Sequence, residues 1–324
     1  ANMFGIIGIE RKKRNRRRNA MPQLTLIKTA RELVKKHNFS GPRLHEAIPY
    51  INAFYGKRFV LKIGGSVLND LSLLPYLIED VVFLKKVGID VILVHGGSRQ
   101  LNEAMKSRNL PIESKNGLRV TSPDVLELAA EVFTEISLAI KNKIEKNGYK
   151  CIILGRESGL VKSKQVDSSL GLGFVGVPQT VEVSFLNSLA DDVIPIVSSV
   201  TAGSNLGDIG FNVNADDVAG IIASKIAAEK LILMTDVEGV LDENGQLLSS
   251  LTVSQVEELI AKKVIHGGMI PKVQTCLDAL RGGAQKCHII KGSVHSFMDE
   301  ILTDSGVGTE FIKDKLVRKT VNKV

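Results

Sequence analysis

Short apolar runs that alternate with amphipathic segments constrain the fold of this 324-residue chain more than any other feature. Six runs are rich in β-branched residues: Phe59–Ile63, Asp90–Val94, Lys150–Leu154, Val193–Val197, Leu231–Met234 and Cys287–Lys291. Several are apolar throughout, which is typical of strands buried on both faces. Alternation of such strands with helices indicates a mainly parallel sheet. We therefore predict an α/β fold with an open, mainly parallel sheet sandwiched by helices.

The clearest helix is predicted at Pro123–Asn147. Its apolar stripe consists of Val125, Leu128, Ala129, Val132, Ile136, Ile140 and Ile144. Ser122 is placed to cap the start of this helix, and Gly148 follows its end. Hairpins are predicted within Val161–Val183 and at Asn244-Gly245.

Two further helices are predicted before the first strand. The amphipathic segment Leu24–Asn38 is broken by Ser40-Gly41-Pro42, and a short helix follows at Arg43–Phe54. Neither helix has a hydrophobic partner in the local sequence. We therefore expect them to dock on another subunit.

Charge is concentrated at one end of the chain. The formal net charge is +7, and residues 1–20 hold seven basic residues and one acidic residue, a net of +6. The remaining chain is therefore close to neutral. A basic run of this kind is either an arm for nucleic acid or targeting, or a disordered extension upstream of a start at Met21. We favour the extension, because the rest of the chain has no aromatic pattern typical of nucleic-acid binding.

Composition excludes other classes of protein. No run approaches 18 uncharged apolar residues, which excludes a membrane span. The three cysteines, Cys151, Cys276 and Cys287, form no C-x-x-C pair, which excludes a disulfide scaffold and a structural zinc site. We expect a protein of a reducing compartment, the cytoplasm.

Gly171, Gly173 and Gly176 satisfy G-x-G-x-x-G, but their flanks are β-like and predict no dinucleotide site.

Three glycine pairs stand in turns beside predicted strands or helices. They are Gly64-Gly65 after Lys62, Gly96-Gly97 after His95, and Gly267-Gly268 before Lys272. Each pair alone is more often a plain turn, and each lysine a solvated side chain. Together, backbone N–H groups beside two lysines indicate a clamp for a polyphosphate. Phosphoryl transfer depends on such positioned cations and donors, so the pattern predicts a nucleotide-dependent phosphotransferase.

Two polar motifs suit the other substrate. Arg119, in Asn116–Thr121, precedes the capped helix and is suited to bidentate binding of a carboxylate. The alternative interpretation is an exposed arginine on a surface turn. Asn212–Asp216 reads NVNAD and opens another helical stretch, where Asn and Asp also serve as ordinary caps.

Taken in order, the motifs LKIGGS, HGG, NGLRVT, GFVG, NVNAD, TDVEGVLD and GGMIPKV resemble the amino acid kinase family. Within it, NGLRVT with NVNAD is similar to the branch that phosphorylates N-acetyl-L-glutamate. The resemblance covers residues 44–312 and implies an N-terminal substrate lobe and a C-terminal ATP lobe. It divides the chain into a basic tail (1–23), a helical extension for oligomerisation and arginine binding (24–55), an acetylglutamate lobe (56–228) and an ATP lobe (229–324).

The resemblance also implies a mechanism. Lys62 and Lys272 stabilise the phosphoryl group in flight, and Asp216 holds both lysines in position. The γ-carboxylate of N-acetyl-L-glutamate attacks the γ-phosphorus of ATP, which is the second step of arginine biosynthesis. Because a carboxylate is ionised at pH 7, no general base is required. Mg²⁺ is carried mainly by the nucleotide phosphates, and no protein metal site is expected.

Two sets of binding residues are implied. The substrate set is Gly64, Gly65, Gly96, Gly97, Arg119 and Asn212. Within it, Arg119 and Asn212 hold the carboxylate and amide ends of N-acetyl-L-glutamate. The nucleotide set is Lys62, Gly64, Gly65, Thr235, Asp236, Gly268 and Lys272.

Regulation is implied by the two ends of the matching stretch. His45–Lys57 and His295–Thr309 resemble the arginine-inhibited branch, in which an N-terminal helix links dimers into a hexamer, a trimer of dimers. The implied arginine site contains His295, Glu300, Gly306 and Gly308. A PII-type regulator is a further candidate partner of such a ring.

Departures from the family pattern leave alternatives open. The family usually has HGGGP where this chain has HGGSR at His95–Arg99, and Gly155–Gly159 also differs. An N-succinyl or longer N-acyl substrate therefore remains an alternative. A second alternative is a non-catalytic arginine-sensing domain, as in some acetylglutamate synthases. The presence of Lys62, Asp216 and Lys272 argues against the second alternative.

Overall fold

The computed structural model describes residues 41–69, 72–115, 117–205 and 207–314. The basic tail, the helix predicted at Leu24–Asn38 and Asn116 of the NGLRVT motif lie outside the described residues.

Fourteen strands are found in the described ranges. They are β1 (Arg58–Ile63), β2 (Asp90–His95), β3 (Ser114–Lys115), β4 (Leu118–Arg119), β5 (Lys150–Leu154), β6 (Val161–Gln165), β7 (Gly176–Val181), β8 (Val193–Ser198), β9 (Val200–Gly203), β10 (Phe211–Asn212), β11 (Lys230–Thr235), β12 (Ser250–Thr252), β13 (Lys286–Lys291) and β14 (Gly308–Ile312). Eight of them form the main sheet, in the order β12-β14-β13-β11-β1-β2-β8-β5.

The six strands predicted from the apolar runs are the parallel part of this sheet, and the predicted fold class is confirmed. Strand β14 runs antiparallel to β13 and parallel to β12. Since the six strands run in one direction, their carboxyl ends meet at one edge, where ligands bind in open α/β sheets.

Ten α-helices are found in the same ranges. They are α1 (Gly41–Phe54), α2 (Gly65–Asn69), α3 (Leu74–Lys86), α4 (Ser98–Ser107), α5 (Pro123–Glu145), α6 (Val183–Ser188), α7 (Ala215–Lys225), α8 (Val253–Ala261), α9 (Met269–Arg281) and α10 (Ser296–Leu302). The side chain of Ser122 accepts a hydrogen bond from the Val125 backbone and caps α5, as predicted. Within these ranges no helix has the length and apolarity needed to cross a bilayer.

Alternation along β1 assigns its side chains to two cores. Phe59, Leu61 and Ile63 pack into a core that includes residues of α1, α3 and α10. Val60 packs into a second core, which includes residues of α7, α8 and α9. Because side chains alternate between the faces of a strand, Lys62 lies on the same face as Val60. The strand period therefore directs Lys62 toward the layer that contains α7 and α9.

Helix α1 has a partner within its own chain. Ala47 and Ile51 are buried in the first core, α1 packs against α10, and the Tyr50 hydroxyl donates a hydrogen bond to Asp304. The structure thus gives this helix a core partner within the chain, and its docking on another subunit stays a prediction. Its partner lies some 250 residues further on, which local sequence patterns do not reveal.

Strands β6 and β7, within Val161–Val183, join β9 and β10 in a second, smaller sheet with the order β10-β9-β6-β7. Strands β6 and β7 are antiparallel, as predicted. Gly171 and Gly173 have positive φ, and Gly176 starts β7. The G-x-G-x-x-G match opens a strand rather than a helix, so the β-like context predicted for it is confirmed. A bridge between Leu241 and Leu247 closes the turn at Asn244-Gly245.

Candidate active site

Two lysines and one aspartate meet where α7 and α9 approach β1. Lys62 Nζ lies 2.8 Å from Asp216 Oδ1, and Lys272 Nζ lies 2.7 Å from Asp216 Oδ2. The Lys272 contact is an aligned hydrogen bond in which the ammonium donates, whereas the Lys62 contact is an ion pair. Asp216 is only 3% exposed. The structure thus brings together the three residues predicted to be catalytic.

Opposing effects set the charge of Asp216. Burial by itself raises the pKa of this carboxyl, but the ammonium groups of Lys62 and Lys272 outweigh it and lower the pKa to about 2. Asp216 is therefore ionised at neutral pH. One negative charge between two positive ones leaves the trio at a net +1, which favours an incoming anion.

Asp216 lies in the first turn of α7. The side-chain oxygen of Asn214 accepts a hydrogen bond at 3.0 Å from the Asp216 backbone and caps this helix. The capping interpretation of NVNAD is therefore correct. The cap also fixes the backbone of Asp216, from which the carboxylate side chain projects.

Contacts between α7 and α9 fix the register of Lys272. The Thr275 hydroxyl donates a hydrogen bond of 2.8 Å to Asp217 Oδ1. The helices approach so closely at Gly220 that a Cβ atom there would lie 2.6 Å from Thr275 Cγ2. Since Lys272 lies one turn before Thr275, this contact holds its ammonium group near Asp216.

The first glycine turn ends β1 against its neighbour β11. A Cβ atom on Gly64 would lie 2.2 Å from the carbonyl oxygen of Met234. No side chain fits there, so Gly64 allows the close approach of two strands. Gly65 follows as the first residue of α2.

The second glycine turn is held by a buried histidine. Burial lowers the pKa of His95 to about 4, so its ring is neutral at pH 7. Nδ1 lies 2.9 Å from the carbonyl of Gly96, and Nε2 lies 2.7 Å from the Ser137 hydroxyl. Because a carbonyl only accepts, Nδ1 carries the proton and Ser137 donates to Nε2. This fixes the Gly96–Gly97 peptide next to the start of α4.

A cavity of about 660 Å³ opens at this edge of the sheet. Its lining residues are Lys62, Ile63, Gly65, Gly96, Gly97, Ser98, Arg99, Leu101, Asn102, Ser114, Gly117, Leu118, Arg119, Phe133, Val175, Ser199, Asn212, Val213, Asn214, Ala215, Asp216, Gly268, Pro271 and Lys272. Three predicted binding residues, Gly64, Thr235 and Asp236, are not among them. Thr235 ends β11, is buried, and donates a hydrogen bond to Asp236.

Arg119 and Asn212 line the cavity from opposite parts of the sequence, and Thr121 joins them. The Thr121 hydroxyl lies 3.0 Å from the carbonyl oxygen of Arg119 and 3.2 Å from Asn212 Nδ2. The Arg119 guanidinium donates to the backbone oxygen of Ser98 at 3.1 Å, which places it beside the second glycine turn. Burial lowers the pKa of Arg119.

The residues predicted to bind arginine surround α10. His295 precedes this helix, and its Nδ1 lies 2.6 Å from Asp80. Glu300 lies 2.5 Å from Nδ1 of the buried His288, and its other oxygen accepts from the Val307 backbone at 2.7 Å. A Cβ on Gly306 would lie 3.0 Å from Glu300. The structure thus brings Gly306 to Glu300.

Gly308 lies further on, in β14, where a Cβ atom would lie 2.3 Å from the carbonyl oxygen of Ile289. This glycine therefore has a packing role of its own.

Sequence reasoning assigned no role to three residues that support the site. His95 and Thr121 belong to the motifs HGG and NGLRVT, so membership of a motif is a signal that could have found them. Thr275 stands in an ordinary helical stretch and gives no such signal.

These features define a class of protein. Residues 57–291 match the amino acid kinase family, and the chain belongs to this family. It is 41% identical over 273 residues to the acetylglutamate kinase of Sulfurimonas denitrificans, covering 82% of this chain and 95% of that one. It is 39% identical over 293 residues to the acetylglutamate kinase of Geotalea daltonii, covering 86% and 98%.

Solved structures share the fold. N-acetylglutamate synthase from Neisseria gonorrhoeae, complexed with coenzyme A and N-acetyl-glutamate, superposes with a TM-score of 0.75 at 21% identity. That match covers 86% of this chain, which spans only 64% of the synthase chain. Carbamate kinase from Giardia lamblia bound to AMP-PNP gives a TM-score of 0.62 at 16% identity, covering 80% and 99%. At such identities the likeness establishes the fold alone.

Proposed function

We propose that this protein transfers the γ-phosphoryl group of ATP to the γ-carboxylate of N-acetyl-L-glutamate, giving N-acetyl-L-glutamyl 5-phosphate in arginine biosynthesis. The observation that carries the proposal is the bridge from Lys62 through Asp216 to Lys272 on the wall of one cavity. The names of the relatives support this choice of substrate. The same bridge argues against a non-catalytic sensing domain, because two lysines held in place by the Asp216 carboxylate serve phosphoryl transfer, which such a domain does not perform.

The proposed chemistry requires only charge and position. The acceptor is a carboxylate, which is ionised at pH 7 and attacks without a general base. Lys62 and Lys272 offset the charge that develops on the phosphoryl oxygens, and Asp216 keeps the two ammonium groups at a fixed separation. Since Asp216 is buried and ionised, it contributes position rather than a proton.

The cavity offers backbone donors for the phosphates of ATP. Gly97 precedes α4, and no side chain caps the start of this helix, so the N–H groups of Ser98 and Arg99 can bind a ligand. Gly268 precedes α9, and no atom lies within 4 Å of a Cβ built on it, which leaves room beside its backbone. We propose that the adenosine lies toward Thr235 and Asp236, next to the carboxyl end of β11.

Mg²⁺ would be carried by the nucleotide phosphates. Among the described residues that line the cavity, Asp216 is the single carboxylate, and both of its oxygens face lysines. No group of three or more His, Cys, Asp or Glu within the described ranges could hold a metal ion. The metal would neutralise charge on the transferred group.

Arg119 and Asn212 would bind the other end of the substrate. A guanidinium can pair with the α-carboxylate in bidentate fashion, and Asn212 lines the same cavity. Arg99 also lines the cavity, and its exposed ion pair with Glu103 is of little energetic weight. This second arginine is the observation that favours the alternative substrate, N-succinyl-L-glutamate.

Trapping of the acyl phosphate with hydroxylamine tests the proposed function. The enzyme is incubated with ATP, Mg²⁺ and either N-acetyl-L-glutamate, N-succinyl-L-glutamate or L-aspartate. We expect hydroxamate from N-acetyl-L-glutamate. Faster reaction with the N-succinyl compound would select the alternative substrate, and no hydroxamate from any acceptor would overturn the proposal.

We propose that arginine inhibits the enzyme by binding near α10, in a cytoplasmic homo-oligomer that is a hexamer built of dimers. Acidic groups support a site for a guanidinium there: Glu46 accepts from the Asp304 backbone, and Asp304 accepts from Tyr50. Titration of the active enzyme with L-arginine should lower the rate, whereas L-lysine should not. Equal rates with and without arginine would remove this part of the proposal.

Docking of a PII-type regulator is a separate proposal, tested by co-sedimentation with the enzyme.

A further inference from the structure

Thr121 is a buried residue at the junction between the hairpin β3–β4 and helix α5. It is 0% exposed. Its backbone is fixed on both sides, because its N–H donates to the Leu172 carbonyl at 2.9 Å and its carbonyl accepts from the Phe174 backbone at 2.8 Å. The hydroxyl therefore cannot move far from its two neighbours, Arg119 and Asn212.

The directions of the two hydrogen bonds follow from elementary chemistry. The Arg119 carbonyl can only accept, so the Thr121 hydroxyl must give it the single proton that a hydroxyl carries. The same hydroxyl can then only accept from Asn212. The amide of Asn212 must accordingly turn its NH₂ group toward Thr121.

The opposite side of the Asn212 amide is the carbonyl oxygen Oδ1. Within the ranges that the structure describes, no hydrogen bond to Oδ1 is formed, and Asn212 lines the cavity that also contains Arg119. The cavity therefore presents an acceptor, Oδ1, together with a guanidinium. A ligand that satisfies both carries an N–H donor close to a carboxylate.

We propose that Thr121 is a positioning residue that selects N-acyl over O-acyl substrates by fixing the orientation of the Asn212 amide. This inference rests on the proposed function and specifies its substrate class. An ester analogue presents a second acceptor to Oδ1 in place of N–H, and the unmet hydrogen bond lowers its kcat/KM. Without the Thr121 hydroxyl, Asn212 is free to turn over and donate to the ester.

Kinetics with two acceptors test the role of Thr121. N-acetyl-L-glutamate is compared with its ester analogue, 2-acetoxyglutarate, in the full-length wild-type enzyme and in Thr121→Val and Thr121→Ser. We expect the wild type to prefer the N-acyl substrate by about 10- to 100-fold in kcat/KM, in line with the value of one buried hydrogen bond. Thr121→Val should reduce this preference at least about fivefold, while the KM for ATP stays unchanged. Thr121→Ser, which keeps the hydroxyl, should retain the preference.

The ratio separates positioning from general damage. A merely structural role would lower kcat/KM for both acceptors equally and leave the preference unchanged in Thr121→Val, which would overturn the inference. If Thr121→Val does not fold by circular dichroism, Thr121→Ala removes the same hydroxyl with less volume, and the same ratio decides. A wild type that phosphorylates neither acceptor would overturn the proposed function together with this inference. An active wild type with an unchanged ratio in the variant would overturn only the role of Thr121.

Discussion

At the scale of single residues, Lys62 and Lys272 share one carboxylate but differ in freedom. The Lys62 side chain is 10% exposed and projects from the central strand β1, whereas that of Lys272 is 23% exposed and projects from the first turn of α9. A lysine with more open space around it can follow a phosphoryl group as it moves between donor and acceptor. Lys272 is therefore the better candidate for an interaction made mainly in the transition state.

Replacement of Lys272 by alanine should lower kcat far more than it changes KM. The loss of one positioned donor at a developing charge typically costs about 10²- to 10³-fold in rate. Steady-state kinetics with N-acetyl-L-glutamate and ATP measure both constants. Lys262→Ala, which removes an exposed lysine that is not among the described lining residues of the cavity, is the matched control. Equal changes in kcat and KM would show that Lys272 only binds ATP.

At the scale of elements, the position of Lys272 depends on how closely α7 and α9 approach each other. Gly220 of α7 leaves no room for a Cβ atom beside Thr275 of α9, and the Thr275 hydroxyl bonds to Asp217. The branched Thr275 side chain cannot swing away without losing that bond. The distance between α7 and α9 is thus fixed by one missing side chain and one hydrogen bond.

Gly220→Ala should separate α7 from α9. Overpacking of this kind typically costs about 1–3 kcal/mol of unfolding free energy, and here it also moves Lys272 away from Asp216. Urea unfolding and kcat measure the two effects. The double variant Gly220→Ala/Thr275→Ser keeps the hydroxyl but removes Cγ2, so it should recover both. Failure of the double variant to recover either one would show that the helices are not held at this contact.

Helix α10 is capped by a residue from a distant element. Asp80 of α3 accepts from the backbones of Phe297 and Met298, and His295 Nδ1 lies 2.6 Å from it. Burial raises the pKa of Asp80 to about 6, although His295 and the two backbone groups act against it. The hydrogen bond to Asp80 raises the pKa of His295 despite partial burial.

Asp80→Asn should therefore cost more stability at pH 5 than at pH 8. Both raised pKa values mean that the folded state binds more protons than the unfolded state, so the contribution of this pair falls as pH rises from about 4 through the folded-state pKa of Asp80, about 6, and then through the raised pKa of His295. At pH 8 the wild type bears the full cost of a buried carboxylate, which the variant avoids. Urea denaturation of both proteins at the two pH values measures the difference. A cost that is equal at both pH values, or larger at pH 8, would contradict this account.

Local patterns predict elements well and contacts between distant elements poorly. The apolar runs identified the six strands that share one direction in the main sheet, because strands buried on both faces are apolar whatever surrounds them. Ser122 identified the start of α5, since capping is a local event. The burial of α1 against α10, and the bonds of Thr121 to Asn212 and of Thr275 to Asp217, join residues at least 58 positions apart. These contacts follow from topology and could not be predicted from the sequence alone.

At the scale of the whole molecule, the attraction of anionic substrates depends on the charge that lines the cavity rather than on the net charge of the chain. The chain carries a net +7, but +6 of this belongs to residues 1–20. The charged residues that line the cavity are Lys62, Arg99, Arg119 and Lys272 against Asp216, which is four minus one, a net +3. A concave wall of one sign concentrates anions such as ATP and a dicarboxylate.

The kcat/KM for N-acetyl-L-glutamate should fall as ionic strength rises. The Debye length shortens from about 10 Å at 0.1 M salt to about 3 Å at 1 M, which screens the field of the cavity. Initial rates in a series of NaCl concentrations measure the effect. We expect a variant without residues 1–20 to show the same salt dependence, because the net charge of the described cavity lining is sufficient for the effect. Loss of the dependence in that variant would assign the field to the basic segment instead.

The contrast between Gly64 and Gly268 has a consequence for selection experiments. A methyl group on Gly64 would collide with the Met234 carbonyl at 2.2 Å, whereas one on Gly268 would meet no atom within 4 Å. Gly268 also has an ordinary helical φ of −67°, so alanine fits its backbone. In a library of single codon changes, depletion of alanine at position 64 would therefore report on folding. Depletion at position 268 would report on the proposed nucleotide site, since a methyl group there would meet no described atom within 4 Å.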